Sequence, residues 1–470
     1  MSSADAHAPQ IIDAGALGMT VPDNRWDLLP DPARPPTASV IIAFYEQHDE
    51  LERVLAGLSV QRGPVVINEI IVVDDGSRWA PSVASTLPVG GAADRRCDVP
   101  VVVLRQEDCG KRPAAARNLG ATRATGDVLV FFDGDTVPAP DAVARLAALP
   151  AVAPAAVVVG RREYCDFDAW PADAVASWLR DDDAPGPHRF DRPAWLDQGY
   201  ATSANLLVID DRSYQFVIGA IMATSRRFFS ELGGFDASID CYGGEDWEIA
   251  YRAWCAGALL AHVPDAIGYH HGPDWRGREG AAATKNSERL VLMRTIPGRH
   301  DAIRGPFARV VATVRGDAPD DAVIATIASL LQAGANQIVV NVERASPVVV
   351  DVVAPDARVS CVVVDPVVVA RSIVQLDLHV PVALSHSTID DLCRLILSPD
   401  HGRIVVTDPD GVLLVATATR AIARATRYAA CFDGCVDAIT SLFGTSTVSA
   451  EEIGVHRLRD RIDLERVFER

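Results

Sequence analysis

Long apolar runs are missing from this 470-residue sequence, although 49% of its residues are hydrophobic. Stretches such as Ala155–Gly160 are far too short to span a bilayer. The start, Met1 to Gln10, has no basic segment followed by an apolar one, so no secretory leader is expected. Positive charge is also scarce. Lys plus Arg number 44 against 63 Asp plus Glu, for a net charge of −19, and only two of the 44 are lysines, Lys111 and Lys285. Such a surface repels nucleic acid and anionic membrane, which are therefore excluded as expected partners. An anionic substrate would need a local patch of Arg, Lys or metal. The nine cysteines are odd in number and scattered. Cys431 and Cys435 lie close together, but no second Cys or His pair stands at zinc-finger spacing, so free thiols in a reducing cytosol are expected.

What the chain does have is alternation. Residues 1–37 are rich in Pro and Asp and read as an N-terminal extension. Ser39–Phe44, Glu69–Val73, Val101–Leu104 and Asp127–Phe132 are short β-branched or aromatic runs of the kind that form buried parallel strands. Helical spacing separates them at Asp49–Leu58, Arg112–Ala124 and Asp141–Leu149. The pattern predicts an α/β fold with an open, mostly parallel sheet over residues 38–300. Polar residues gather just past the strand ends, where ligands bind in such sheets. The Trp- and Pro-rich stretch Tyr164–Gly199 fits neither period and reads as a long loop over the site.

Five motifs carry chemistry. Asp133-Gly134-Asp135 puts two carboxylates at a strand end, where both can face one hard cation. Asp74-Asp75-Gly76-Ser77 can accept hydrogen bonds from a base and a ribose. Lys111, Arg112, Arg117 and Asn118 could supply positive charge near a diphosphate. Gly243-Gly244-Glu245-Asp246-Trp247-Glu248 opens a helix with acids, one of which could be a general base, and Trp247 is either core or a sugar platform. His270-His271 could complete a metal site begun by the two Asp. Each motif alone has an ordinary structural explanation; their joint order does not.

That order resembles the inverting glycosyltransferases of family 2, which adopt the GT-A fold. The resemblance covers roughly Ala38 to Trp275 through SVIIAFYE, IIVVDDGS, GKRPAAARNLG, GDVLVFFDGD, LGGFD, GGEDWEIAYR and GYHH. It implies a nucleotide-sugar donor, UDP first, and Mn²⁺ or Mg²⁺ as cofactor. Asp74 would bind the base and Asp75 would lie near the ribose. Ala43–Tyr45 and Glu46 would line the nucleotide pocket. Lys111, Arg112 and Arg117 would lie near the diphosphate. Asp133 would contact the donor and share the metal with Asp135 and His270, with His271 as second choice for the imidazole ligand. Asp246 would be the base and Glu245 would help hold the acceptor: a glycan, a peptide or a small-molecule hydroxyl. The chain departs from the family where Pro-x-Tyr-Asn is common and Ala43-Phe44-Tyr45-Glu46 stands. The Gly-Gly-Glu-Asp segment also looks like that of retaining polypeptide N-acetylgalactosaminyltransferases, which carry Asn at the Asp246 position; Asp there favours inversion. A nucleotidyltransferase of related fold would need a Gly-rich loop that Phe44–Asp49 lacks. A nucleotide-sugar- or glycan-binding protein without turnover would not need Asp246.

Residues 306–470 repeat the strand pattern. Val310–Val314 can be laid on Val40–Phe44, and Gly402–Asp410 on Gly126–Asp135, which predicts a second, degenerate GT-A-like domain with a silent motif echo at Asp408 and Asp410. Its expected work is packing on the first domain, homodimer formation or acceptor binding.

Overall fold

The computed structural model describes residues 10–90, 96–181, 183–240, 243–274, 281–298, 305–459 and 462–465. The chain divides into two units, Met1–Trp254 with Ala258–Val291, and Cys255–Gly257 with Leu292–Arg470. No helix among the described residues is long and apolar enough to cross a membrane.

In the first unit a short ribbon of β1 (Ile12–Asp13) and β2 (Met19–Thr20) precedes the main sheet. From residue 10 the N-terminal extension belongs to this unit. Then follow β3 (Thr37–Phe44), α1 (His48–Ser59), β4 (Val66–Asp74), β5 (Thr86–Gly90), β6 (Arg96–Arg105), α2 (Pro113–Arg123), β7 (Val128–Asp133), β8 (Thr136–Pro138), α3 (Ala142–Val152), β9 (Ala156–Cys165), α4 (Ala172–Arg180), β10 (Arg189–Phe190), α5 (Ala194–Thr202), β11 (Ile221–Ser225), α6 (Arg226–Glu231), α7 (Glu245–Cys255), β12 (Leu259–His271) and α8 (Ala281–Thr295). The sheet runs β5-β6-β4-β3-β7-β11-β9-β12-β8. Val40–Ile42, Ile70–Val73 and Val128–Phe132 are wholly buried because helices cover both faces, so these strands read as continuous apolar runs. β6, β4, β3 and β7 are parallel, and β11 enters antiparallel between β7 and β9. This is the open, mostly parallel α/β sheet expected from the sequence, with one antiparallel strand inserted. The stretch 164–199 is not the loop its mixed composition suggested: its apolar residues at helical spacing fold into α4 and the start of α5.

The second unit carries β13 (Val310–Arg315), α9 (Asp320–Gly334), β14 (Ile338–Glu343), α10 (Pro347–Val353), β15 (Val359–Ser360), α11 (Pro366–Arg371), β16 (Val374–Leu378), β17 (Val382–Leu384), α12 (Thr388–Ile396), β18 (Arg403–Asp408), β19 (Gly411–Ala418), α13 (Thr419–Arg427), α14 (Cys435–Phe443), β20 (Thr445–Ser449) and β21 (Val455–Arg457). Its sheet runs β15-β14-β13-β16-β19-β18-β20. Strand for strand this is the path β6-β4-β3-β7-β11-β9-β12 of the first unit. The directions agree too: β15, β14, β13 and β16 are parallel, β19 is antiparallel to both neighbours, and β20 is parallel to β18. The pairing corrects the alignment read from the sequence. β18, which ends at Asp408, corresponds to β9. The counterpart of β7 is β16, where Asp377 stands opposite Thr313 as Asp133 stands opposite Ala43. Buried strands share one apolar pattern, so only their partners tell them apart.

Candidate active site

Parallel pairing sets the ends of β3, β4 and β7 side by side, with Phe44 opposite Asp74 and Ala43 opposite Asp133. Past these ends lies a cavity of about 280 Å³, near the lower limit of small-ligand sites. It is lined by Ala43, Phe44, Tyr45, Asp75, Lys111, Arg117, Asp133, Asp135, Glu245, Asp246 and His270, all singled out in the sequence.

Three expected residues do not line it. Asp74 is fully buried and accepts the Ser77 N–H at 2.8 Å, with Arg105 at 3.4 Å. It shapes the turn, which passes through Gly76 at φ 85°. Its neighbour Asp75 is the carboxylate at the cavity, braced by the Gln106 amide and by the Arg112 N–H at 2.7 Å. A strand's side chains alternate in direction, and the turn decides which of two adjacent acids faces out. Arg112 contributes that N–H, while its guanidinium turns to the Glu107 carbonyl. Glu46 accepts the Arg78 N–H and donates its own N–H to Ser77 Oγ at 2.9 Å, so it ties two loops together.

Arg117 lines the cavity but is 2% exposed, with two of its nitrogens paired to carboxylates. It donates to Asp133 Oδ1 at 2.7 Å and to Glu245 Oε1 at 3.0 Å. Burial opposes its charge, but the two carboxylates outweigh that and raise its pKa. It therefore acts as a bridge between the β7 end and the start of α7. Asn118 exchanges two hydrogen bonds with the Phe235 backbone, at 2.8 and 2.9 Å, and so anchors the Leu-Gly-Gly-Phe-Asp loop.

Asp135 Oδ1 lies 3.1 Å from His270 Nδ1. Burial resists ionisation of Asp135, yet His270 and Arg162 hold its carboxyl below the usual range. An oxygen and an imidazole nitrogen facing one cavity suit a divalent cation. Asp133 lines the same cavity, with its Oδ1 paired to Arg117. His271 points elsewhere: its Nδ1 accepts the Phe167 N–H at 3.2 Å, and it groups with Asp166 and Asp168. β12 pairing explains the split, since successive residues of a strand face opposite sides.

Asp246 begins α7 opposite the β11 entry. Gly219 donates its N–H to Asp246 Oδ2 at 3.0 Å. A Cβ on Gly219 would come 3.2 Å from Asp246 Cβ and 3.3 Å from Arg117, so only glycine allows this approach easily. Withdrawal from water first, and the charge of Glu245 second, push the Asp246 carboxyl up to about 7, against the Gly219 N–H, Arg117 and the Trp247 N–H. A carboxylate poised there suits general-base work near neutrality.

Residues 39–191 match the model described as glycosyl transferase family 2, and residues 207–271 match the model described as the N-terminal domain of galactosyltransferase. The N-terminal unit thus contains a region similar to the family 2 glycosyltransferases. Among its relatives, N-acetylgalactosaminyltransferase 6 of Drosophila melanogaster is 29% identical over 299 residues, which cover 59% of this chain and 42% of that protein. Chondroitin synthase of Escherichia coli is 25% identical over 55% of this chain and 38% of its own length. The chain thus spans about two fifths of the length of the curated relatives it matches. Among solved structures, GalNAc-T7 with UDP, GalNAc and Mn²⁺ gives a TM-score of 0.37 at 20% identity, over 63% of this chain and 51% of that one. The mannosyltransferase of Pyrobaculum calidifontis with GDP-Man and Mn²⁺ gives 0.35 at 21% identity, over 53% of this chain and 61% of that one.

Sequence reasoning gave no role to several residues that line the cavity, among them Arg162, Trp195, Lys285 and Glu288. Trp195 lies in the stretch whose composition suggested a loop. Lys285 and Glu288 fall on α8, outside every motif singled out in the sequence.

Proposed function

We propose that the N-terminal unit is a metal-dependent inverting glycosyltransferase that moves a sugar from a nucleoside diphosphate, UDP by preference, to an acceptor hydroxyl. The observation that carries this reading is Asp246, a carboxyl pushed up to about 7 and held at the cavity that Asp135, His270 and Asp75 also line. Asp246 takes the proton from the acceptor hydroxyl. The acceptor oxygen bonds to the anomeric carbon as the bond to the diphosphate oxygen breaks, on the opposite face. A divalent cation, Mn²⁺ or Mg²⁺, on Asp135 and His270 would neutralise the diphosphate. Lys111 adds charge for the same group, Asp75 accepts from ribose or base, and Arg117 keeps Asp133 and Glu245 in place. A binding protein without turnover needs no such base, and Asp rather than Asn at position 246 supports inversion. The odd, scattered cysteines of the sequence support a cytosolic location. The test is release and transfer from a panel of nucleotide sugars with and without Mn²⁺; turnover unchanged in Asp246→Asn would overturn the assignment.

We read the second unit as a degenerate, catalytically silent copy. The first unit pairs His270 with Thr136 and bonds the His271 N–H to the Asp135 carbonyl at 2.9 Å. The second pairs Arg457 with Val382 and bonds the Leu458 N–H to the Pro381 carbonyl at 3.0 Å. By this register Pro381 and Arg457 replace the two metal-facing residues Asp135 and His270. Arg457 is held by both oxygens of Asp408 at 2.8 Å. A second pocket for metal and donor has lost its ligands. Homodimer formation through this unit stays a proposal, to be checked by sedimentation of the full chain.

A further inference from the structure

Two observations about the cavity are unused by the donor and the base. The first is an aromatic corner. Trp195 of α5 and Trp247 of α7 both line the cavity, with ring centroids 6.3 Å apart and planes at 77°. Phe216 stacks against Trp195 at 6.3 Å, and Tyr214 meets Trp247 edge-on at 6.2 Å. Both indoles are only partly buried, so each keeps surface for a ligand. The second is lysine. Of 44 basic residues two are lysines, Lys111 and Lys285, and both line this cavity. Composition does not account for that, since arginine supplies positive charge everywhere else in the chain. Lys285 Nζ lies 5.3 Å over the Trp247 ring and donates to both Glu288 oxygens, at 2.8 and 2.7 Å.

Resting on the transferase reading above, we infer that Trp195, Trp247, Lys285 and Glu288 form the acceptor subsite, and that the acceptor is the pyranose ring of a neutral glycoside. The corner begins one residue from Asp246, within reach of an acceptor hydroxyl. The C–H face of a pyranose stacks on an indole, and its hydroxyls both donate and accept. The Lys285–Glu288 pair offers one donor and one acceptor group with no net charge. It matches hydroxyls, and its two charges cancel, so the pair itself adds no net charge toward a uronate carboxylate. A peptide hydroxyl would use neither the corner nor the pair.

The test pairs binding with kinetics on the full chain. Methyl β-glucopyranoside, methyl β-galactopyranoside, methyl β-glucuronide and a Ser/Thr peptide are offered as ligands in saturation-transfer NMR and as acceptors beside a nucleotide-sugar panel. Neutral glycosides are expected to bind and be glycosylated, with the glucuronide and the peptide at least about tenfold weaker. Trp247→Ala and Trp195→Ala should raise acceptor KM about tenfold or more while donor KM moves less than about twofold. Trp247→Phe, which keeps a ring and the packing, should recover part of the loss. Lys285→Arg, which keeps the charge, should still weaken the glycoside. Preference for the peptide or the glucuronide overturns the acceptor class. Equal rises in donor and acceptor KM in Trp247→Ala and Trp247→Phe overturn the subsite. Trp247-dependent glycoside binding without turnover of any nucleotide sugar would sink the transferase reading and leave the subsite standing.

Discussion

In the first unit His270 stands opposite Thr136 and meets Asp135; in the second Arg457 stands opposite Val382 and is clamped by Asp408. The strand order around these positions is the same. One architecture thus carries either a pair of metal-type ligands or an internal ion pair at a single register position. The turn after the second strand shows the same divergence. Gly76 takes φ 85° in the first unit, and Arg344 takes φ 55° beside Glu343 in the second, where no Asp-Asp pair remains. The backbone path outlasts the chemistry because it depends on apolar strand packing, which many sequences supply.

Four experiments would break or sharpen this comparison. The largest effect is expected from Asp246→Asn, which should lower transfer by about 10²–10⁴-fold while Asp408→Asn in the second unit leaves it unchanged. Comparable losses from both would mean two working units, and steady-state transfer assays decide. Next is Arg117→Met, which leaves the buried Glu245 and the part-exposed Asp133 without their cation and should cost about 3 kcal/mol of stability in denaturant titration. It has a kinetic signature as well. The rate should rise with pH as Asp246 loses its proton near 7, and removing the Arg117 charge, which lowers that pKa, should move the rise to higher pH. A profile that stays in place would separate Arg117 from the base. Third, Mn²⁺ titration followed by electron paramagnetic resonance should count one tight cation per chain. Asp135→Ala should abolish it and Arg457→Ala should not change it; a count of two in the parent would break the asymmetry. The smallest effect concerns the ion pair. The Arg457 hydrogen bond, against slight burial, holds Asp408 at about 2. Its contribution is present above the ordinary Asp value near 4 and fades as pH falls through about 2. Asp408→Asn should lower the melting temperature slightly at neutral pH and not at all at the acid end.

Much of the site is legible in the order of residues alone. Asp133-Gly134-Asp135 follows an apolar run, and Glu245-Asp246 opens a helix after two glycines, so local pattern puts both at the active end of the sheet. Other roles are not legible there. Asp74 and Asp75 look alike in sequence, and only the turn at Gly76 buries the first and presents the second. Arg117 reads as free to meet a diphosphate, yet Asp133 and Glu245 flank it in the fold. The choice between His270 and His271 needs the β12 pairing, and Trp195 and Lys285 reach the cavity from helices that composition hides.

The sequence by itself determined the alternation of strand and helix, the polar residues at strand ends and the family resemblance, because these rest on periodicity within a dozen residues. Only the tertiary structure decided which acid faces the cavity, which imidazole meets Asp135, and that β16 rather than β18 answers to β7. Those choices depend on partners distant along the chain, such as Asp135 and His270 or Val382 and Arg457. Hydrogen-bonded register, which no local pattern records, brings them together.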